Sequence, residues 1–165
     1  MIVLSGNLKK ETGGAKLILK VKRISHNGID IALPQKATAG SAGFDLRAAI
    51  EQPVLIEPGG LASIPTGIAV GFPGPEYAGL VFARSGLATR HGITLSNGVG
   101  VIDSDYTGEI TVGICNISNT PYSVEPNERI AQLLVMPIAN AEIVETAEIE
   151  NTDRSSGGFG STGRF

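Results

Sequence analysis

Residues 54–75, VLIEPGGLASIPTGIAVGFPGP, decide the fold class. Two apolar runs rich in β-branched residues, 54–57 and 61–70, are separated by Pro58-Gly59-Gly60 and closed by Phe72-Pro73-Gly74-Pro75. Branching at Cβ suits a pleated surface better than a helix, while Pro and Gly preset turn conformations. The same alternation runs along most of the chain. Segments 17–24, 78–83, 109–117, 129–137 and 142–147 also read as strands, and Asn97-Gly98, Asn119-Thr120-Pro121 and Glu125-Pro126-Asn127 read as turns. No long helical period intervenes, and the turn spacing predicts an all-β, jelly-roll-like domain.

Composition agrees. Of 165 residues, 40 are Ile, Val or Thr, and 22 glycines with 9 prolines supply many turns without reaching low complexity. The single cysteine, Cys115, cannot close an intramolecular disulfide and reads as an apolar packer in a strand, and no Cys/His group has zinc-ligand spacing. A reducing, cytoplasmic setting is the expectation. A formal charge of −3 without Lys/Arg runs argues against nucleic-acid binding, and no stretch approaches the ~20 apolar residues of a membrane span. Three regions are expected: an N-terminal extension over 1–20, partly mobile; one β domain over 21–150; and a Gly/Ser-rich flexible tail over 151–165.

Three local signals bear on chemistry. Ser85 followed by Gly86-Leu87-Ala88-Thr89-Arg90-His91 and Gly92 reads as an N-cap, two turns of helix and a left-handed C-terminal glycine. Arg84 before that cap would bring a guanidinium to the positive end of the helix, a recipe for phosphate, although most Arg-Ser-Gly triplets are ordinary caps beside a solvated arginine and the triplet alone favours that reading. In the tail, Gly158 to Gly163 has the glycine spacing of a P-loop, but Arg164 and Phe165 replace its Lys and Ser/Thr, so that motif is rejected. What remains is a segment with Arg154, Arg164, Ser161, Thr162 and a lone Phe159 suited to stacking on a ring, or else a plain frayed terminus. Finally, GVGVIDSDYTGEI, 98–110, sets Asp103 and Asp105 around Ser104 before Tyr106. The group is expected in a hairpin, with the choice open between Asn97-Gly98 and the Asp103 turn as the tightest bend.

Five motifs in order, AGFDLRA at 42–48, ARSGLA at 83–88, NGVGVIDSDYTGEI at 97–110, NERIAQLLV at 127–135 and RSSGGFGSTGRF at 154–165, resemble the homotrimeric deoxyuridine triphosphatases (dUTPases) over about residues 20–165. The first residues lie outside that pattern, and Ala83 stands where many members carry proline. The resemblance implies a jelly-roll-like dUTPase fold with one short helix. It also implies hydrolysis of dUTP to dUMP and pyrophosphate with Mg²⁺, in sites shared among three subunits. That activity would limit uracil in DNA and supply dUMP for dTMP synthesis.

By the same resemblance, Asp103 is the base that activates the water attacking the α-phosphorus, a task for a carboxylate within hydrogen-bond reach, and it also contacts the sugar. Tyr106 lies against the deoxyribose and rejects a 2′-OH. Asn97 and the backbone of Gly100, Val101 and Ile102 read uracil, and Phe159 stacks on it. Arg84, Ser85, Gly86, Gln132, Arg154, Gly160 and Ser161 contact phosphate. Asp45 faces the metal through water, the ion being held mainly by the triphosphate. The tail closes as a lid. His26 and His91 have no expected catalytic role. Two other readings stay in view: a dCTP deaminase, which needs a glutamate base beside the pyrimidine amine, and a nucleotide-binding trimer without turnover.

Overall fold

A computed structural model describes residues 17–152 of the chain. Among them are eleven strands: β1 Lys20–Arg23, β2 Phe44–Arg47, β3 Val54–Ile56, β4 Leu61–Pro65, β5 Ile68–Gly71, β6 Tyr77–Ala83, β7 Ile93–Leu95, β8 Gly100–Ile102, β9 Thr111–Asn116, β10 Tyr122–Val124 and β11 Arg129–Pro137. One helix, α1 Ser85–His91, joins β6 to β7. Every strand pair is antiparallel. The strands form a four-stranded sheet β2-β11-β6-β8, a three-stranded sheet β4-β9-β7, and the pairs β1-β5 and β3-β10.

Alternation builds the core. In β9, Val112, Ile114 and Asn116 turn inward, while in β2 Leu46 points to the interior and Asp45 to the opposite face. Leu46, Ile56, Ile64, Ile68, Ile110, Ile114, Val124 and Leu133 are almost fully enclosed in one cluster fed by all four sheets. Each such side chain contributes about 1.5–3 kcal/mol on leaving water. Asn116, wholly buried, donates to the carbonyls of Ile56 and Thr120 and accepts from Ser118, so its polar group costs little. Cys115 lies in a strand as expected, but half-buried on the face away from that cluster, opposite Leu61. Among the described residues no helix is long and apolar enough to cross a membrane.

Two strand expectations need correction. The run 61–70 is not one strand: Gly67 adopts φ +65 and separates β4 from β5. A Cβ there would stand 2.5 Å from Ile31 Cδ1, so only glycine fits both the dihedral and the space. Residues 142–147 form no strand, and Ile143 is 97% exposed with Val144 at 73%. A strand needs a ladder partner, and none pairs with that segment among the described residues.

Candidate active site

The first candidate pocket, about 260 Å³, is framed by the loop before β2 and the start of α1 and includes Gly43, Asp45, Arg84, Ser85, Gly86 and Gln132. Asp45 is the one carboxylate in its lining, and two cations hold it: Arg84 Nε donates to Oδ1 at 3.1 Å and Arg129 Nη1 to Oδ2 at 3.2 Å. Arg84 Nη1 also donates to the Arg129 carbonyl, so its guanidinium is fixed in the wall of the pocket. Gln132 lies opposite Asp45 in the β2–β11 register, and its Nε2 donates to the Ala83 carbonyl. Gly43 makes room for it, since a Cβ would meet Gln132 Oε1 at 2.9 Å.

Arg84, not Ser85, occupies the N-cap position, with extended backbone (φ −85, ψ 129) and no side-chain cap bond; Ser85 is the first helical residue. Arg84 therefore turns its side chain to Asp45 instead of its own helix, and Ser85 and Gly86 at the start of α1 line the pocket without a side-chain cap. Gly92 ends the helix in the left-handed conformation, as expected. The far end of α1 is braced by Tyr122, whose ring lies 5.2 Å from that of His91. The Tyr122 hydroxyl donates to Glu128 Oε1, and burial, reinforced by that carboxylate, pushes its pKa well above the ordinary tyrosine value. It stays protonated and acts as a brace.

A second and third pocket, about 180 and 200 Å³, open along the gap between β8 and β9 and share Val101, Ile102, Ile110 and Thr111. The expected hairpin is absent. β8 bonds to β6 in one sheet and β9 to β4 and β7 in another, so the two strands diverge and the gap between them is the cavity. Among the described residues β8 is an edge strand, so one row of its backbone donors and acceptors beside that gap is unpaired by any described strand. The Asn97-Gly98 bend, with Gly98 at φ +72, starts the divergence, and Asn97 Nδ2 lies beside Gly100.

Asp103 and Tyr106 rim the third pocket. The Tyr106 N–H donates to the Asp103 carbonyl and closes a turn, so the Asp103 bend is also real. Tyr106 folds back over Gly108 and donates its hydroxyl to the Glu109 carbonyl at 2.8 Å. The Asp103 carboxylate is exposed and makes no hydrogen bond or ion pair among the described residues. The Glu109 carboxylate is engaged instead: its Oε1 accepts the Gly67 N–H at 2.6 Å and lies 2.8 Å from His26 Nε2.

Asp45, Arg84, Ser85, Gly86 and Gln132 thus converge, as do Asn97, Gly100, Val101, Ile102, Asp103 and Tyr106, but the two groups line separate pockets. Three strand steps separate β2 from β8, about 14 Å. The register adds a further offset of about 10 Å, from the Phe82 level to that of Gly79. Arg154, Phe159, Gly160 and Ser161 lie outside the described residues. Arg129 was missed by the sequence reading, although it stands inside the NERIAQ motif three residues before Gln132. Among the described residues no three His, Cys, Asp or Glu side chains gather into a cation site. With both Asp45 oxygens engaged by Arg84 and Arg129, the carboxylate could meet a hydrated Mg²⁺ only through the ion's water shell, and phosphate oxygens would have to hold the metal itself.

The dUTPase family model matches residues 30–163. The deoxyuridine 5′-triphosphate nucleotidohydrolase of Idiomarina loihiensis is 50% identical over 137 residues, covering 83% of this chain and 91% of its own. That of Desulfitobacterium hafniense is 49% identical over 131 residues, with coverages of 79% and 87%. Among solved structures, a point mutant of the Staphylococcus bacteriophage 80alpha dUTPase with dUpNHpp aligns with a TM-score of 0.78 at 29% identity, covering 88% of this chain and 98% of that one. A mutant dUTPase from phage phi11 of S. aureus, described with a structural Mg(II) ion, aligns with a TM-score of 0.71 at 25% identity, covering 81% and 99%.

Proposed function

Because this chain belongs to the dUTPase family, we propose that it hydrolyses dUTP to dUMP and pyrophosphate with Asp103 as general base and Mg²⁺ as cofactor, in sites completed by neighbouring copies of the chain. The observation that carries the assignment of the base is the exposed Asp103 carboxylate at the mouth of the β8–β9 gap, which no side chain or backbone group engages among the described residues. A carboxylate with no competing partner can accept a proton from water as that water attacks the α-phosphorus. The open backbone edge of β8 reads the donor and acceptor pattern of uracil, with Asn97 beside it. Cytosine reverses that pattern at two positions, each mismatch costing about 1–3 kcal/mol. Tyr106 packs on the deoxyribose, where a 2′-OH has neither room nor partner.

Arg84 and Gln132, with the start of α1 at Ser85 and Gly86, hold the phosphates for in-line attack. When bound, Mg²⁺ supplies charge neutralisation for the leaving pyrophosphate, held mainly by phosphate oxygens with Asp45 touching its water shell. Arg154, Gly160 and Ser161 add phosphate contacts and Phe159 stacks on uracil as the tail over 151–165 closes, excluding bulk water.

The two pockets of one chain stand too far apart for a single triphosphate to reach from the phosphate pocket to its own Asp103. A homotrimer, in which one chain's Asp45–Arg84 pocket faces another's β8–β9 gap, removes the difficulty. Exposed Ile143, Val144 and Ile149 supply apolar surface for such an assembly. The working enzyme limits uracil in DNA and feeds dTMP synthesis, and we place it in the cytoplasm.

The deaminase reading is disfavoured because Glu109, the carboxylate nearest Asp103 along the gap lining, is already bonded to Gly67 and His26. Incubation with dUTP or dCTP and Mg²⁺ decides the matter. Pyrophosphate from dUTP, with solvent ¹⁸O in the dUMP, is expected. Ammonia from dCTP would establish the deaminase, and tight binding without product the non-catalytic trimer.

A further inference from the structure

Three segments far apart in sequence meet at Glu109. Its Oε1 receives the N–H of Gly67, the positive-φ residue between β4 and β5, and lies within hydrogen-bond distance of His26 from the loop after β1. Its backbone carbonyl receives the Tyr106 hydroxyl. The glutamate side chain is only 20% exposed, so water competes weakly for these bonds. Gly108 lets the phenol lie flat across the turn, since a Cβ there would stand 2.6 Å from Tyr106 Oη.

We propose that Glu109 is a positioning residue for sugar selection: Gly67 and His26 anchor its side chain, and the anchored residue holds the carbonyl that fixes the Tyr106 ring. The inference rests on the reading above, in which Tyr106 faces the deoxyribose. A ring tethered at its hydroxyl cannot swing away from a ribose 2′-OH, whereas a released ring can. Gln at 109 keeps an Oε1 acceptor for the Gly67 N–H; Ala removes it.

The test compares kcat/KM for dUTP and for UTP in the parent, Glu109→Ala, Glu109→Gln, His26→Ala, Tyr106→Phe and Tyr106→Ala proteins, with thermal midpoints recorded alongside. Glu109→Ala is expected to raise the UTP-to-dUTP ratio about tenfold. Tyr106→Phe, which keeps the ring and cuts the tether, should do the same. His26→Ala should move the ratio less in the same direction, and Glu109→Gln should stay within about twofold of the parent. If Glu109→Ala slows both substrates by one factor, its role is only structural and the proposal is overturned. Should that variant not fold, an unchanged ratio in both Tyr106→Phe and His26→Ala overturns it equally. An unchanged ratio in Tyr106→Ala, or a parent inert toward dUTP, would sink the underlying reading instead.

Discussion

The Asp45–Arg84 pocket and the β8–β9 gap are built on opposite plans. In the first, charges satisfy one another within the chain: Asp45 lies between Arg84 and Arg129, and Gln132 is held by Ala83 and cleared by Gly43. In the second, among the described residues, an edge strand shows an unpaired backbone row and the exposed Asp103 carboxylate has no partner. On the proposed roles, the difference separates holding from reacting. A group that positions phosphate gains from being fixed beforehand, whereas a base must keep its lone pair for the water it activates.

The sharpest way to break this contrast is Asp103→Asn. Turnover should fall about 10³-fold while dUpNHpp binding changes only a few-fold, because general-base catalysis is lost and the contacts remain. Kinetics with calorimetry check it, and a parallel loss of binding would make Asp103 a holding group after all. Next comes mixing: Asp103→Asn and Arg84→Ala chains, each nearly inactive, should regain about a quarter of parental activity when unfolded and reassembled together at equal ratio, since random trimers leave that share of shared sites intact. No recovery would mean that each chain builds its own complete site. Asp45→Ala should lower kcat/KM by about 10- to 100-fold and raise the Mg²⁺ needed for half-maximal rate, which a metal titration reads directly. The smallest effect belongs to Gly43→Ala: the added methyl displaces Gln132, and KM for dUTP should rise about 3- to 10-fold with kcat nearly kept.

What could be read from sequence follows the same divide. β11 was legible to the residue because a long apolar run lies in the middle of a sheet, where local pattern and burial agree. β2 and β10 are short, and their hydrophobic content is too slight to stand out. The break at Gly67 was hidden inside an apolar run, and the Ile31 side chain that leaves no room for a Cβ there comes from 36 residues away. The hairpin expectation failed for a related reason. Asn97-Gly98 encodes a bend, but which strand each arm joins is decided by β6 and β9, not by the bend. Site residues stood out as motifs, and Asp45, Arg84 and Gln132 line one pocket. Arg129 did not, because a cation in a motif rich in structural residues carries no local mark of its partner.

The bare carboxylate of Asp103 has a consequence for how variants of this protein are surveyed. With no side-chain hydrogen bond or ion pair to lose among the described residues, its replacement should leave melting temperature and expression yield almost untouched. Deep mutational scans scored by abundance would therefore rank this position among the most permissive, and only a selection coupled to nucleotide turnover would reveal its intolerance.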